Sequence, residues 1–170
     1  QYFFDAARRF PDKIAIWDNA RAISYSELAE QVERTAHYYQ KKGIKPGDRV
    51  FVFIPMSIEL YRVVLALFAM GATAVFVDEW AGKKRLDHCC EIANCRALIT
   101  STKFRIASWF LSSLRKIPTF LHETAMDKDR IVLPVAIEPH HPALITFTTG
   151  STGIPKAAIR SHTLLNAQFH

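Results

Sequence analysis

Apolar residues follow two rhythms along this chain. Short runs that are apolar at nearly every position alternate with longer stretches in which apolar residues recur every three or four positions. The first rhythm predicts buried strands and the second predicts amphipathic helices. Ile14–Trp17 and Ala22–Ser24 flank the turn cluster Asp18-Asn19-Ala20-Arg21, which predicts a hairpin. Ser24 and Glu27 have capping-box spacing, and Leu28, Val32, Ala36 and Tyr39 follow at helical intervals. With Gly43 as a stop, a helix is predicted over about 25–42. Lys45–Asp48 reads as a turn, and Arg49–Ile54 as a strand apolar on both faces. Pro55 ends that strand and Ser57 can cap a helix over about 58–70, whose only charges are Glu59 and Arg62. Gly71 stops it before the strand Ala72–Asp78. A helix over about 84–94, a strand at Arg96–Thr100 and a helix over about 103–116 come next. The last of these carries Phe104, Ala107, Leu111 and Leu114 on one face. Pro118–Leu121 is a short strand, and Met126–His141 is irregular and polar apart from Ile131–Ile137. Ala143–Thr148 and Lys156–Ser161 are strands, and Thr163 opens a final helix that runs to the last residue, His170.

Strands alternating with helices at this spacing predict an α/β fold, a doubly wound, mainly parallel sheet flanked by helices. Ligands of such sheets sit in the loops beyond the carboxyl ends of the strands. The 170 residues, 49% of them apolar, can bury one core and are not those of a disordered chain.

Charge changes this picture little. Lys and Arg number 22 against 16 Asp and Glu, a net charge of +6. The basic residues occur as short groups (Lys41-Lys42, Lys83-Lys84-Arg85, Arg115-Lys116), with no stripe interleaved with aromatics. A solvated surface is therefore expected, and no nucleic-acid partner. Cys89, Cys90 and Cys95 lack the paired spacing of a zinc site and, being odd in number, make a poor disulfide framework. Cys89 and Cys90, adjacent on a helix, project to different sides, and buried free thiols in a reducing compartment are expected. No metal ligands are assigned. Gln1–Phe10 has no apolar core of the kind a secretory signal needs. The longest uncharged run, Val63–Val77, falls short of the about 20 residues of a membrane span and is broken by Gly71. A cytoplasmic protein without a transmembrane segment is expected. The absence of Met at position 1 suggests a chain trimmed at its start.

The chemistry concentrates in Thr146–His162, "TFTTGSTGIPKAAIRSH". Gly150 and Gly153 let a main chain approach an anion closely, and Thr148, Thr149, Ser151 and Thr152 add hydroxyl donors. Pro155 stiffens the exit, and Lys156 supplies a point charge suited to phosphate. Following a strand, this set is a candidate polyphosphate cradle. It is not a Walker A loop, because counting from Gly150 puts Pro155 at the second glycine and Ala157 at the Ser/Thr position. A G-x-G-x-x-G pattern fails at Thr152.

Leu144–Ala157, "LITFTTGSTGIPKA", resembles the phosphate-binding signature of the AMP-forming adenylating enzymes, the superfamily of acyl-CoA synthetases, peptide-synthetase adenylation domains and luciferases. Phe10–Pro55, with its "SY-x-EL" helix start and "KPGDRV" turn, is similar to the family's opening, and Val63–Trp80 to its second core motif. The resemblance implies that a carboxylate attacks the α-phosphate of ATP, forming an acyl-adenylate and releasing pyrophosphate, before a thiol, commonly that of CoA, takes the acyl group. It implies that Thr148, Thr149, Gly150, Ser151, Thr152, Gly153 and Lys156 hold the β,γ-phosphates, with Mg²⁺. Three positions depart from the pattern. Ala157 replaces a usual glycine, His140-His141 stands where acidic residues are common, and "DEW", Asp78–Trp80, replaces a proline-containing ending. A solvated loop is expected at the two histidines. The "DEW" ending is expected to disfavour the peptide-synthetase branch.

The family's adenine pocket, carboxylate pocket, ribose-binding aspartate and catalytic lysine lie downstream of this signature. Residues 1–170 are thus expected to be the N-terminal portion of the AMP-binding domain, inactive alone. The catalytic residues are unassigned within the chain and are expected downstream of His170. An acyl-CoA synthetase-like ligase of fatty-acid metabolism is expected, binding ATP, a carboxylic acid and CoA. An amino-acid-activating domain or a β-lactone-forming relative are the alternatives, and a non-catalytic phosphate-binding module is the alternative from another class.

Overall fold

The computed structural model describes residues 2–18, 21–77, 82–108, 111–129, 137–149 and 155–168. In chain order these form α1 (Tyr2–Arg9), β1 (Ile14–Asp18), β2 (Arg21–Ser24), α2 (Tyr25–Lys41), β3 (Arg49–Phe53), α3 (Ile58–Ala69), β4 (Thr73–Phe76), α4 (Lys83–Ala93), β5 (Ala97–Thr100), α5 (Thr102–Ser108), α6 (Ser112–Arg115), β6 (Thr119–Leu121), β7 (Pro142–Thr149), β8 (Pro155–Ser161) and α7 (His162–Ala167). A single 3-10 turn, His122–Thr124, follows β6. β1 and β2 make a separate antiparallel hairpin. The main sheet has the order β6-β5-β3-β4-β7-β8, parallel except for β8, which runs antiparallel to β7. The doubly wound, mainly parallel fold expected from the sequence is the fold observed.

Local sequence explains the elements. Ser24 Oγ accepts from Glu27 N at 3.2 Å and Glu27 Oε2 accepts from Ser24 N at 2.9 Å, so the capping box starts α2 as predicted. Ser57 caps α3 through Leu60 N. Gly43 and Gly71, at φ 89 and 78, take the left-handed conformation past the ends of α2 and α3 that an L side chain resists.

Two apolar layers sandwich the sheet. Val50, Val52, Ala74, Leu144 and Ile99 pack with Tyr39, Val63 and Leu67 on the α2/α3 side. Phe51, Val75, Leu98 and Ile145 pack with Leu86, Cys89, Cys90 and Leu114 on the α4/α6 side. Because a strand's side chains alternate between faces, a strand covered on both sides must be apolar at successive positions, as β3 is from Val50 to Phe53. All three cysteines are buried and free. Cys89 and Cys90, about 100° apart on α4, reach the same apolar layer because that layer covers much of the helix.

Three elements differ from the sequence expectation. The predicted helix over 103–116 is two helices, α5 and α6. Leu111 is extended (φ −106, ψ 117) and buried, and Asp87 on α4 accepts from Ser113 N at 2.7 Å and from the Ser112 hydroxyl. A carboxylate from a neighbouring helix thus satisfies the start of a new helix where the old one would have continued. The second difference is α1, a helix the sequence does not predict, which buries Phe4 and Ala7 and brings Phe4 into a third apolar cluster with Ile23, Leu28 and Val32. The third is the final helix. It starts one residue early, at His162, because Ser161 Oγ caps it through Leu164 N, and it closes at Ala167. His170, to which the sequence reading extended it, lies outside the described residues.

Candidate functional site

β7 pairs with β4 through Ala74↔Leu144, Val75↔Ile145 and Phe76↔Thr146, then runs on to Thr149, past the last pair. β8 returns along it with Thr149 opposite Pro155, Thr148 opposite Lys156, Thr146 opposite Ala158 and Leu144 opposite Arg160. Residues 150–154 therefore join two paired strands at the carboxyl end of a parallel sheet, where ligands of doubly wound folds bind. Gly150, Ser151, Thr152 and Gly153 lie outside the described residues, and of Thr148 and Thr149 the backbone is described. Lys156 is an exposed residue at the start of β8, next to that connection.

The alternation of side chains fixes the facing of this hairpin. Ile145 and Phe147 join the α4/α6 layer, whereas Leu144 joins the α2/α3 layer. Residues opposite one another share a face, so Lys156, Ala158 and Arg160 lie on the side of Leu144 and Thr146. Arg160 Nη1 donates to Thr146 Oγ1 at 2.6 Å across the hairpin. Arg160 is a second cation on the face of Lys156, and the sequence reading did not single it out. The signal was available, since an even separation along a strand puts two residues on one face.

The hairpin is strapped at its base. Thr73 Oγ1 donates to the Pro142 carbonyl at 2.8 Å. His141 Nε2 lies 3.1 Å from the Gly71 carbonyl, which also accepts from Gly47 N at 2.7 Å. A carbonyl can only accept, so Nε2 carries the hydrogen. His141 is half-buried and turned toward the Gly71 turn, not solvated as the sequence suggested. The ring thus ties the start of β7 to the Gly71 turn. On the far side, Thr163 donates from N and Oγ1 to the Pro139 carbonyl at 2.9 and 2.7 Å, and His162 N donates to the His141 carbonyl at 3.2 Å. The His162 ring stands edge-on to Phe68 at 5.6 Å. Burial and the neighbouring His141 hold its imidazole below the ordinary histidine range.

Elsewhere, His37, Asp127 and Asp129 place ligand atoms within 4.8 Å of one another. The Lys41 ammonium sits 2.9 Å from Asp127 and already neutralises it, so the group works as an ion pair tying α2 to the segment after β6. Among the described residues no helix is long and apolar enough to cross a membrane.

The described part of the hairpin therefore places an exposed lysine next to a connection whose sequence is rich in glycine and hydroxyl residues. The profile of the AMP-binding enzyme family matches residues 3–169. Delta-poly-L-ornithine synthetase of Acinetobacter baumannii (strain AB307-0294) is 32% identical over 160 residues, which cover 92% of this chain and 12% of that protein. The Klebsiella oxytoca NpsA N-terminal subdomain superposes with TM-score 0.83 at 31% identity, over 94% of this chain and 41% of that one. The same subdomain in complex with 3-hydroxybenzoyl-AMSN superposes with TM-score 0.80. The Bacillus subtilis o-succinylbenzoate CoA synthetase, at 19% identity and TM-score 0.85 over 95% of this chain and 42% of that one, shares the fold. The chain thus spans well under half the length of these proteins.

Proposed function

The chain belongs to the AMP-binding enzyme family, and from that premise we propose that its protein activates a carboxylic acid with ATP, forming an acyl-adenylate and releasing pyrophosphate. One observation carries this reading: an exposed Lys156 stands opposite Thr148 at the mouth of the 150–154 connection, beyond the carboxyl end of β7. In the proposal, Thr148, Thr149, Gly150, Ser151, Thr152, Gly153 and Lys156 hold the β,γ-phosphates. Negative charge grows on the departing pyrophosphate, and donors already aimed at it need no reorganisation as it forms. Mg²⁺ would arrive with the nucleotide and share that neutralisation. Residues 1–170 supply the phosphate-holding portion of the domain, and the groups that bind adenine, ribose and the acid belong to sequence beyond His170.

The acid falls in one of two classes. The acyl-CoA synthetase-like class, with CoA as acceptor, was expected from the sequence. The class that activates an amino or aryl acid, with a carrier thiol as acceptor, has equal standing, because relatives near 30% identity are named for poly-L-ornithine synthesis or bind a 3-hydroxybenzoyl compound. The Asp78–Trp80 departure does not separate the two, and those residues lie outside the described ones.

The test is carboxylate-dependent exchange of pyrophosphate into ATP by the longest product of the gene, across fatty, aryl and amino acids. Exchange with one class supports the proposal and names the substrate. A folded protein that binds ATP but exchanges with no acid would return the hairpin to a non-catalytic phosphate-binding module. Lys156→Ala is expected to weaken ATP and pyrophosphate binding without moving the unfolding midpoint, since an exposed lysine contributes little stability. Unchanged nucleotide affinity would remove Lys156 from the site.

A further inference from the structure

Basic residues that look scattered along the sequence meet at the amino end of the sheet, opposite the hairpin. A cleft of ≈ 690 Å³ there is lined by Lys42, Arg49, Arg96 and Lys116, with Asp48 the only carboxylate among its lining residues. The four cations come from the end of α2, the start of β3, the α4–β5 link and the end of α6. Arg49 is half-buried and donates from Nη1 to the Ala93 carbonyl at 3.0 Å, closing the end of α4. Lys42, Arg96 and Lys116 are exposed, and none of them makes an ion pair among the described residues.

Three helices, α2, α4 and α6, end at this cleft, each bringing about half a negative charge. That accounts for some of the basic residues. Four cations against one carboxylate and three half-charges still leave the cleft positive, and Asp48 is partly spent, since its Oδ2 accepts from Lys45 N at 2.8 Å.

The backbone decides what kind of anion fits. Phosphate sites built at turns use free N–H groups. Here the amides of Gly43, Gly47, Asn94, Cys95 and Arg96, in the turns that line the cleft, all donate within the chain. The cleft has charge but no amide cradle. Its cations are long side chains spread over neighbouring elements, with strands about 4.8 Å apart. Ile44, Ile117, Pro118 and Phe120 give it an apolar floor. Spread charge over an apolar floor suits the side chains of a polypeptide, with carboxylates spaced along it, better than a compact phosphate.

We propose that this end of the sheet is a docking surface for an acidic stretch of a partner polypeptide. The surface lies at the other end of the strands from Lys156, and its function is independent of whether the hairpin binds ATP.

The test uses the full chain and short fluorescein-labelled poly-L-glutamate, followed by fluorescence anisotropy at low and high salt. Binding that weakens with salt is expected. Arg96→Glu/Lys116→Glu is expected to lose about tenfold or more in affinity, and Arg96→Gln/Lys116→Gln a smaller share. Lys13→Glu/Lys103→Glu makes the same change of net charge at exposed positions outside the cleft and is expected to stay within about twofold of the parent chain. Circular dichroism confirms folding of each variant, and the Gln pair decides if the Glu pair unfolds. The proposal is overturned if the parent chain does not bind poly-L-glutamate, or if cleft and control variants weaken alike. It is also overturned if tripolyphosphate or a single-stranded oligonucleotide binds at the cleft in preference to the peptide.

Discussion

Replacing Gly71 by Ala separates backbone conformation from crowding, because Gly43 supplies a matched control. Both glycines follow a helix with positive φ, 78 at Gly71 and 89 at Gly43. An L residue in that region costs about 1–2 kcal/mol. Both replacements also restrict the unfolded chain to the same degree, and this term cancels in the comparison. The surroundings differ. A Cβ at Gly43 meets nothing within 4 Å, whereas one at Gly71 lies 3.3 Å from Pro46 Cβ and 3.4 Å from Ile137 Cγ1. The proline ring cannot rotate away, so the Pro46 turn must shift, at a further cost of about 1 kcal/mol, the lower end for overpacking. Gly43→Ala should therefore cost about 1–2 kcal/mol and Gly71→Ala about 2–3 kcal/mol, a gap of about 1 kcal/mol. At roughly 2–4 °C per kcal/mol for a chain of this size, the second variant should melt several degrees below the first. Urea unfolding followed by circular dichroism, with equal m-values, measures the gap. Because the Gly71 carbonyl holds both Gly47 N and the His141 ring, amide exchange in β7 should quicken in Gly71→Ala and not in Gly43→Ala. Equal destabilisation of the two variants would refute the packing argument.

Three further outcomes are expected. Ser24→Ala removes the capping-box oxygen of α2 and should cost about 1 kcal/mol in urea unfolding; no loss would mean that Tyr25 begins the helix without the cap. Cys89, Cys90 and Cys95 are buried, and the Cys90 thiol is pushed up by its hydrogen bond with Cys95 and by burial; a thiol reagent should therefore label none of them until the chain unfolds, and fast labelling of the native protein would contradict this. Burial lowers the imidazoles of both His122 and His162. The unfolded chain then takes up protons first, so the stability these groups contribute is complete above an unfolded value of about 6.5 and is lost as pH falls from there toward their folded values. The urea midpoint should drop between about pH 7 and 5 and drop less in His122→Gln/His162→Gln, and a flat profile would refute the assignment.

Features carried by neighbouring residues were legible in the sequence. Ser24 and Glu27 announced α2 because both halves of the cap lie within one turn, and Gly71 announced the end of α3 because only glycine takes that conformation cheaply. β3 was legible as a central strand because it is apolar on both faces. The break before α6 was not, since the carboxylate that makes it comes from Asp87, more than twenty positions earlier. Nor was the inward turn of His141, whose partner is 70 positions away. The β7–β8 hairpin was readable from the two strand-like runs on either side of a glycine-rich connection. The bond of Arg160 was not legible, since its partner Thr146 is brought opposite only by the β7–β8 pairing. The basic cleft was hidden for a different reason: its cations are far apart in the chain and meet only once the sheet order is known.

The strand order also sets a timetable for folding. Arg160 and Thr146, which bond across the β7–β8 hairpin, are 14 positions apart, whereas the Thr73–Pro142 bond that ties β7 to β4 spans 69. Each doubling of a loop adds about 0.6 kcal/mol to its closure, so the longer link carries an entropic handicap of about 1.4 kcal/mol. Contacts distant in sequence form late. The hairpin should therefore gain protection as a local unit early in refolding, while the ends of the 150–154 connection become fixed against the sheet only when β7 docks beside β4. A protein caught before that step would carry every residue of the candidate phosphate site and still lack the platform that holds it.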